Sequence, residues 1–414
     1  MTCAPAGFRL RVGCERYRPA VSEPAPPRRR RRGLRRLLVA VLVLLVLGVV
    51  GFAGAGWYYS GEIASGALDV HPPSTCSTTV SGSSVPDGVR AVLRSTVTDS
   101  ALGTDGTYGL VWDGGAGFVV GEAEPRDDGS VVRTFQVVDG TPPAPGTTAD
   151  LRGDVWTDPR AAYLTDYDEV DVACDGGTCP AWFVPGDSTT WMVFVHGKGG
   201  SRTEPLRALG PAVTAGLPSL LITYRNDPEA PADPAGRYGQ GATEWRDLEA
   251  AVRWAQEHGA EHVLLYGASM GGAIVASFLE HSELADTVRG VVLDAPMLDL
   301  GATVEHGAAQ RDLPVVGGVP AALTATAEWI AGWRYDLDWD AVDHLPADWL
   351  DVPALVFHGT EDDLVPISTS DALAAEQPDL VTEVRVAGAG HVRAWNTDPL
   401  RYVEEMDAFL TRTS

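Results

Sequence analysis

The chain has 414 residues, of which 45% are aliphatic or aromatic and 21% charged. That composition excludes wholesale disorder, and the length supplies a large core and room for two domains. The formal charge of −25 at pH 7 disfavours nucleic acid as a partner, because phosphate attraction would have the wrong sign, and five cysteines over this length exclude a disulfide-scaffolded mini-domain.

The charge is split along the chain. Residues 1–36 hold eleven arginines and two glutamates, or +9, which leaves −34 for the rest. Seven of those arginines fall between Arg28 and Arg36. The segment 1–36 reads as a disordered basic arm. Leu37–Tyr59 then runs 23 residues without a charge. As a helix it would be roughly 34 Å long, enough for a hydrocarbon core of about 30 Å. Trp57, Tyr58 and Tyr59 close it as interfacial aromatics do, and no Lys or Arg follows until Arg90. This asymmetry predicts a single-pass helix with the arginines in the cytoplasm and the remainder outside. The bilayer is thus one expected partner. A cleaved signal peptide ending at Ala53-Gly54-Ala55 is the alternative, and the long leader favours the uncleaved anchor.

Residues 60–86 read as a Ser/Gly/Pro/Thr-rich spacer. Residues 87–165 read as a small β-rich region, with β-branched and aromatic residues between glycine turns at Gly106–Val120 and Ser130–Val138. No nucleophile, metal or cofactor motif lies there. Cys174 and Cys179 flank a turn between two strand-like runs, Asp168–Ala173 and Ala181–Val184. A hairpin would bring them together, and an oxidising compartment would join them. Cys76 is left unpaired, and Cys3 and Cys14 fall on the cytoplasmic side.

From residue 166 onward, apolar strands alternate with helices. Strands are expected at Trp191–His196, Ser219–Tyr224, Val263–Tyr266, Val288–Leu293, Ala354–Phe357 and Thr382–Val386. Helices are expected around Trp245–Ala255, at Ser269–His281 and at Pro399–Thr411. Continuous apolar strands separated by helices predict a mostly parallel sheet covered on both faces, with active groups at the carboxyl ends of its strands. Residues 297–350 interrupt this alternation and read as a lid. Its Trp329 and Trp333 are candidates for lining an apolar pocket, or for packing the lid onto the sheet.

Four segments carry chemistry. Gly267-Ala268-Ser269-Met270-Gly271 stands where a buried strand meets a helix, the context of a nucleophile elbow. Its turn would thrust Ser269 out at a helix N-terminus. His196-Gly197-Lys198-Gly199-Gly200 follows the neighbouring strand, and its backbone can reach a reacting carbonyl oxygen. The N–H groups of Lys198 and Met270 are the candidate oxyanion donors. Lys198 is the sole lysine, and its side chain is a lesser candidate for holding an anionic group. Asp362 follows the strand Ala354–Phe357 and can orient a histidine, with Asp363 and Asp294 as rivals. His391, on Gly388-Ala389-Gly390-His391, follows the last strand.

The order Ser269, Asp362, His391, with these loops, resembles the α/β-hydrolase superfamily over residues 166–414. It is most similar to bacterial exported hydrolases of the dipeptidyl aminopeptidase/acylaminoacyl-peptidase and serine aminopeptidase kind. The resemblance implies a Ser-His-Asp triad acting on a small acyl substrate without metal or other cofactor. It does not reach residues 1–165. The chain is therefore expected to be a membrane-anchored serine hydrolase of carboxylic esters. A peptidase, and a non-catalytic module on a hydrolase fold, are the alternatives.

Overall fold

The computed structural model describes residues 2, 28–70, 78–80, 90–95, 100–313 and 317–414. Of the expected disordered arm 1–36, residues 1–27 apart from Thr2 lie outside the described residues, as do Cys3, Cys14 and Cys76. Residues 28–36 are corrected: they form the first turns of the helix that continues into the apolar run. The chain forms two units, residues 1–53 and 54–414.

Helix α1 spans Arg28–Ile63. It therefore extends past both ends of the uncharged run Leu37–Tyr59. In the first unit its apolar side chains are exposed throughout. Among the described residues, the stretch Gly33–Leu68, which holds most of α1, is the one helix long and apolar enough to cross a membrane. The expected spacer is corrected at its start. Residues 60–63 complete α1, and Ala64–Leu68 form a wider π-type turn. The reason is packing: Ala64 and Leu68 are buried, and the Tyr238 N–H donates to the Leu68 carbonyl at 2.8 Å.

The β-rich region is a closed antiparallel barrel. Its strands are β1 (Thr78–Val80), β2 (Arg90–Ser95), β3 (Tyr108–Trp112), β4 (Gly115–Pro125), β5 (Val131–Gly140) and β6 (Thr147–Arg152), in the order β1-β2-β5-β4-β3-β6. Alternation along each strand turns Leu93, Leu110, Trp112, Val119 and Phe135 into its core. Closure leaves no unpaired edge. The barrel begins earlier and ends earlier than the expected 87–165, and the short helix α2 (Pro159–Tyr163) follows it, capped by Asp158.

An eight-stranded sheet holds the remainder. It contains β7 (Asp168–Cys174), β8 (Gly177–Val184), β9 (Thr190–Val195), β10 (Ser219–Ile222), β11 (His262–Ala268) and β12 (Val288–Asp294). The two-residue strands β13 (Asp312–Leu313) and β14 (Gly317–Gly318) form a separate hairpin, and β15 (Ala354–Gly359) and β16 (Val381–Val386) complete the large sheet. Its order is β16-β15-β12-β11-β9-β10-β8-β7. The five strands from β16 to β9 run parallel, as do β9 and β10. Only β8 runs against the others; β7, antiparallel to β8, runs with them again. The central strands are buried on both faces, which is why they read as unbroken apolar runs.

The helices are α3 (Leu206–Thr214), α4 (Trp245–Glu257), α5 (Met270–His281), α6 (Leu300–Ala309), α7 (Ala321–Tyr335), α8 (Ser368–Glu376), α9 (Ala394–Thr397) and α10 (Pro399–Thr413). One apolar core on one face of the sheet includes α4 and α5, and the other includes α3 and α10. Helices α6 and α7 belong to the lid. Cys174 and Cys179 are joined across the β7–β8 turn.

Candidate active site

Ser269 sits between β11 and α5 with φ 51° and ψ −119°. That left-handed backbone is strained for a residue with a side chain, and packing around the turn maintains it. A Cβ at Gly271 would lie 2.4 Å from the Val195 carbonyl oxygen, and one at Gly267 would lie 2.5 Å from that of Gly271. Only glycine lets these backbones pass. The Ser269 N–H donates to the Asp294 carbonyl at 2.9 Å, which ties the elbow to the end of β12.

The structure brings Ser269, Asp362 and His391 into one line. His391 Nδ1 stands 2.8 Å from Asp362 Oδ2, and its Nε2 stands 2.8 Å from Ser269 Oγ. A carboxylate only accepts, so Nδ1 carries the proton, and Nε2 of the neutral ring is free to take the serine proton. Asp362 Oδ1 accepts the N–H groups of Leu364 and Val365, both at 2.9 Å. Burial alone would raise the Asp362 pKa. Hydrogen bonds from His358, His391 and Val365 outweigh it and hold the carboxyl well below its ordinary value.

The rival acids are occupied elsewhere. Asp294 is buried beneath the elbow, where Tyr266 and Tyr402 hydroxyls donate to its Oδ2 at 3.3 and 3.2 Å. Burial raises its pKa, with Arg207 opposing. Asp363 is exposed, and its carbonyl accepts from Gln310.

The loop after β9 is fixed from below. The Gly197 carbonyl accepts from Tyr224 Oη at 2.9 Å and from His196 Nδ1 at 2.9 Å. The Gly197 N–H donates to Glu204 Oε2 at 2.7 Å. In a trans peptide the N–H of Lys198 points opposite to the Gly197 carbonyl, away from these partners. Gly197 itself passes close over the nucleophile, since a Cβ there would lie 3.1 Å from Ser269 Cβ. Gly199, at φ 67°, turns the loop back. Met270 opens α5, where the first N–H groups lack intrahelical acceptors. The Gly197–Gly199 loop and the N-terminus of α5 thus flank Ser269.

His196, Tyr224, Asp227 and Glu204 are supports that sequence reasoning missed. His196 Nε2 stands 3.0 Å from Asp227 Oδ2. Burial opposes its charged form, and the Asp227 carboxylate more than compensates, raising the pKa. The signal lay in the His-Gly pair at a strand end, but Asp227 is 31 residues away.

The cavity above Ser269 has a volume of about 360 Å³. Met297, Leu300, Val304, Ala327 and Val365 contribute apolar walls. Tyr59, Glu62, Ile63, Gly66 and Ala67 line it too. The Lys198 ammonium donates to the Gly66 carbonyl, and the Gln240 side-chain amide to that of Ala67. The lysine side chain is thereby committed to the wall, and partial burial lowers its pKa. Trp329 and Trp333 require a correction as pocket residues. Both are on lid helix α7, but they do not line the cavity and are 74% and 72% exposed. Helix α7 buries Leu323, Ala327, Ile330 and Ala331, and the two tryptophans, four residues apart, occupy another face.

Among the described residues, Cys174, Cys179 and Asp247 are the one cluster with metal-ligand spacing. The two sulfurs are bonded to each other, and Arg225 engages both carboxylate oxygens of Asp247 at 2.7 and 3.0 Å. Those donors do not fit a metal.

A mostly parallel sheet carrying a strand–serine–helix elbow, under a helical lid, defines an α/β-hydrolase. Residues 236–335 match the family model described as serine aminopeptidase, S33, and the chain is a hydrolase of the α/β-hydrolase superfamily. That match includes Ser269 but neither Asp362 nor His391. Residues 88–152, within the barrel, match a domain of unknown function (DUF8805). Among solved structures, the chain is similar to the esterase Pf2001 of Pyrococcus furiosus. The identity is 19% over 62% of this chain and 96% of that one, with a TM-score of 0.48. It is also similar to the esterase RhEst1 of Rhodococcus sp. ECU1013, at 20% identity over 60% and 99% of the two chains, with a TM-score of 0.42. No curated protein matches the chain.

Proposed function

We propose that this chain is a membrane-anchored, extracytoplasmic serine hydrolase that cleaves carboxylic esters of small acyl compounds. The hydrogen-bonded line Asp362–His391–Ser269 carries the reading. His391 Nε2 takes the Ser269 proton as Oγ attacks the acyl carbon. The N–H groups of Lys198 and Met270 hold the oxyanion, each such donor typically contributing about 3 kcal/mol to the barrier reduction. Asp362 keeps the His391 tautomer and stabilises its cation. His391 then protonates the leaving alcohol, and later activates the water that releases the acid.

The charged lining favours esters over aminopeptidase substrates. A free substrate amine needs an uncommitted carboxylate. Glu62 pairs with Arg311 at 3.2 Å, and Glu204 accepts the Gly197 N–H. The Cys174–Cys179 disulfide and the arginine-flanked apolar helix support placement outside the cytoplasm.

The test is labelling of the full chain with a fluorophosphonate probe, alongside Ser269→Ala. Labelling should vanish in the variant; labelling that persists there removes the assignment. Faster turnover of p-nitrophenyl esters than of aminoacyl-naphthylamides is expected, and the reverse order selects the peptidase. The protein should stay in membranes through alkaline carbonate washing. A soluble product starting near Gly56 would instead establish signal cleavage.

A further inference from the structure

Four exposed aromatic side chains, two near the end of α1 and two on lid helix α7, take no part in the proposed chemistry. Trp57 and Tyr58, near the end of α1, are 50% and 61% exposed, and Trp329 and Trp333 more so. The Trp57 and Trp333 rings lie 6.3 Å apart. Arg334 locks the contact. Its guanidinium lies 3.9 Å from the Trp57 ring centre and donates to the Trp57 carbonyl at 2.9 Å and to Ser60 Oγ at 2.7 Å. An exposed cluster of large aromatics costs solubility and marks an interaction surface.

Chain connectivity names the occupant. Trp57 closes the uncharged run Leu37–Tyr59, so wherever that run crosses a bilayer, Trp57 stands at its boundary with water. Trp333, within ring contact of Trp57, is confined to the same depth. Trp329 is one helical turn from Trp333 on α7. Trp and Tyr prefer that depth because their rings are apolar and their N–H and O–H groups remain wet.

The same elements build the pocket. Tyr59, Glu62 and Ile63 come from the end of α1, and Thr324 and Ala327 come from α7. We propose that Trp57, Tyr58, Trp329 and Trp333 seat the lid in the bilayer interface, and that the hydrolase takes its acyl ester from the membrane. This rests on the anchored-esterase reading and adds the source of the substrate.

The test uses the full chain reconstituted in phosphatidylcholine/phosphatidylglycerol vesicles. Wild type and Trp329→Gln/Trp333→Gln are compared on soluble p-nitrophenyl butyrate and on p-nitrophenyl palmitate dissolved in the vesicles. Neither tryptophan lines the cavity, so butyrate turnover and fluorophosphonate labelling should stay within about twofold. Palmitate turnover should fall at least tenfold. An equal rate on palmitate overturns the docking. A wild type that hydrolyses butyrate but not vesicle-borne palmitate overturns the membrane source and leaves the esterase standing. Absence of Ser269-dependent labelling removes both readings. A variant that loses a cross-linked dimer, with palmitate turnover intact, assigns the surface to a second copy and overturns the proposal.

Discussion

Replacing Asp362 by Asn should cripple the enzyme without unfolding it, and the structure states how. Asp362 Oδ1 accepts the N–H groups of Leu364 and Val365. The asparagine keeps its carbonyl oxygen there, because backbone N–H groups can only donate, whereas the imidazole nitrogens of His391 and His358 beside Oδ2 can give up a proton and accept. Its NH₂ group then takes the Oδ2 place, 2.8 Å from His391 Nδ1. A donor there forces Nδ1 to accept, so the proton moves to Nε2. Nε2–H then faces Ser269 Oγ and cannot take the serine proton. The variant also loses the negative charge that stabilises the imidazolium. In other Ser-His-Asp enzymes the corresponding loss is about 10⁴-fold, or about 5.5 kcal/mol of barrier. The assay is kcat/KM on p-nitrophenyl butyrate, with circular dichroism to establish folding. A folded variant that loses less than tenfold would refute the tautomer argument and assign the orienting acid elsewhere.

Three further outcomes follow from the packing. Gly197→Ala places a Cβ 3.1 Å from that of Ser269, and Glu204, His196 and Tyr224 limit how the loop can retreat. Measured kcat should fall about 10²-fold with the fold intact, and an unchanged kcat would contradict the assigned Lys198 donor. Glu328 is pushed up to about 7, first by burial and then by Glu305 and Asp299. Its folded pKa exceeds its unfolded one, so the folded state binds more protons between about 4.3 and 7, and stability falls as pH rises through that window. Thermal unfolding should therefore show a smaller Tm drop from pH 5 to pH 8 in Glu328→Gln than in wild type. Asn396 donates to the Thr107 and Gly153 carbonyls at 2.7 and 2.9 Å and accepts from Arg207 at 2.7 Å, all buried or partly so. Asn396→Ala should cost about 2–4 kcal/mol in denaturant unfolding, from backbone carbonyls left without partners.

The sheet and the four loops at its edge were legible because each is local. A strand such as Trp191–His196 announces itself by an unbroken apolar run, and the Ser269 elbow by two glycines two residues either side. The supports were not legible. His196 and Asp227 meet because β9 and β10 are neighbours, and nothing in either segment names the other. The lid face was unreadable for a different reason. Helix α7 is rich in alanine and threonine, so its apolar periodicity is weak and the outward side of Trp329 and Trp333 could not be assigned. The end of α1 looked like a spacer because its glycines and serines are poor helix formers. Tertiary contacts from Lys198, Tyr238 and Gln240 override that preference.

The Asn396 junction also bears on when the enzyme becomes whole. Its two bonds to the barrel side close loops of 289 and 243 residues, while His391 and Ser269 are separated by 122. Contacts so distant in sequence form slowly, because the entropy of closing each loop is lost before the contact repays it. A chain folding from its N-terminus has its barrel in place before Asn396 is synthesised. The histidine loop is consequently among the last parts to be secured, and the nascent chain carries its strained serine without its proposed base until residues 391–396 settle against structure made long before them.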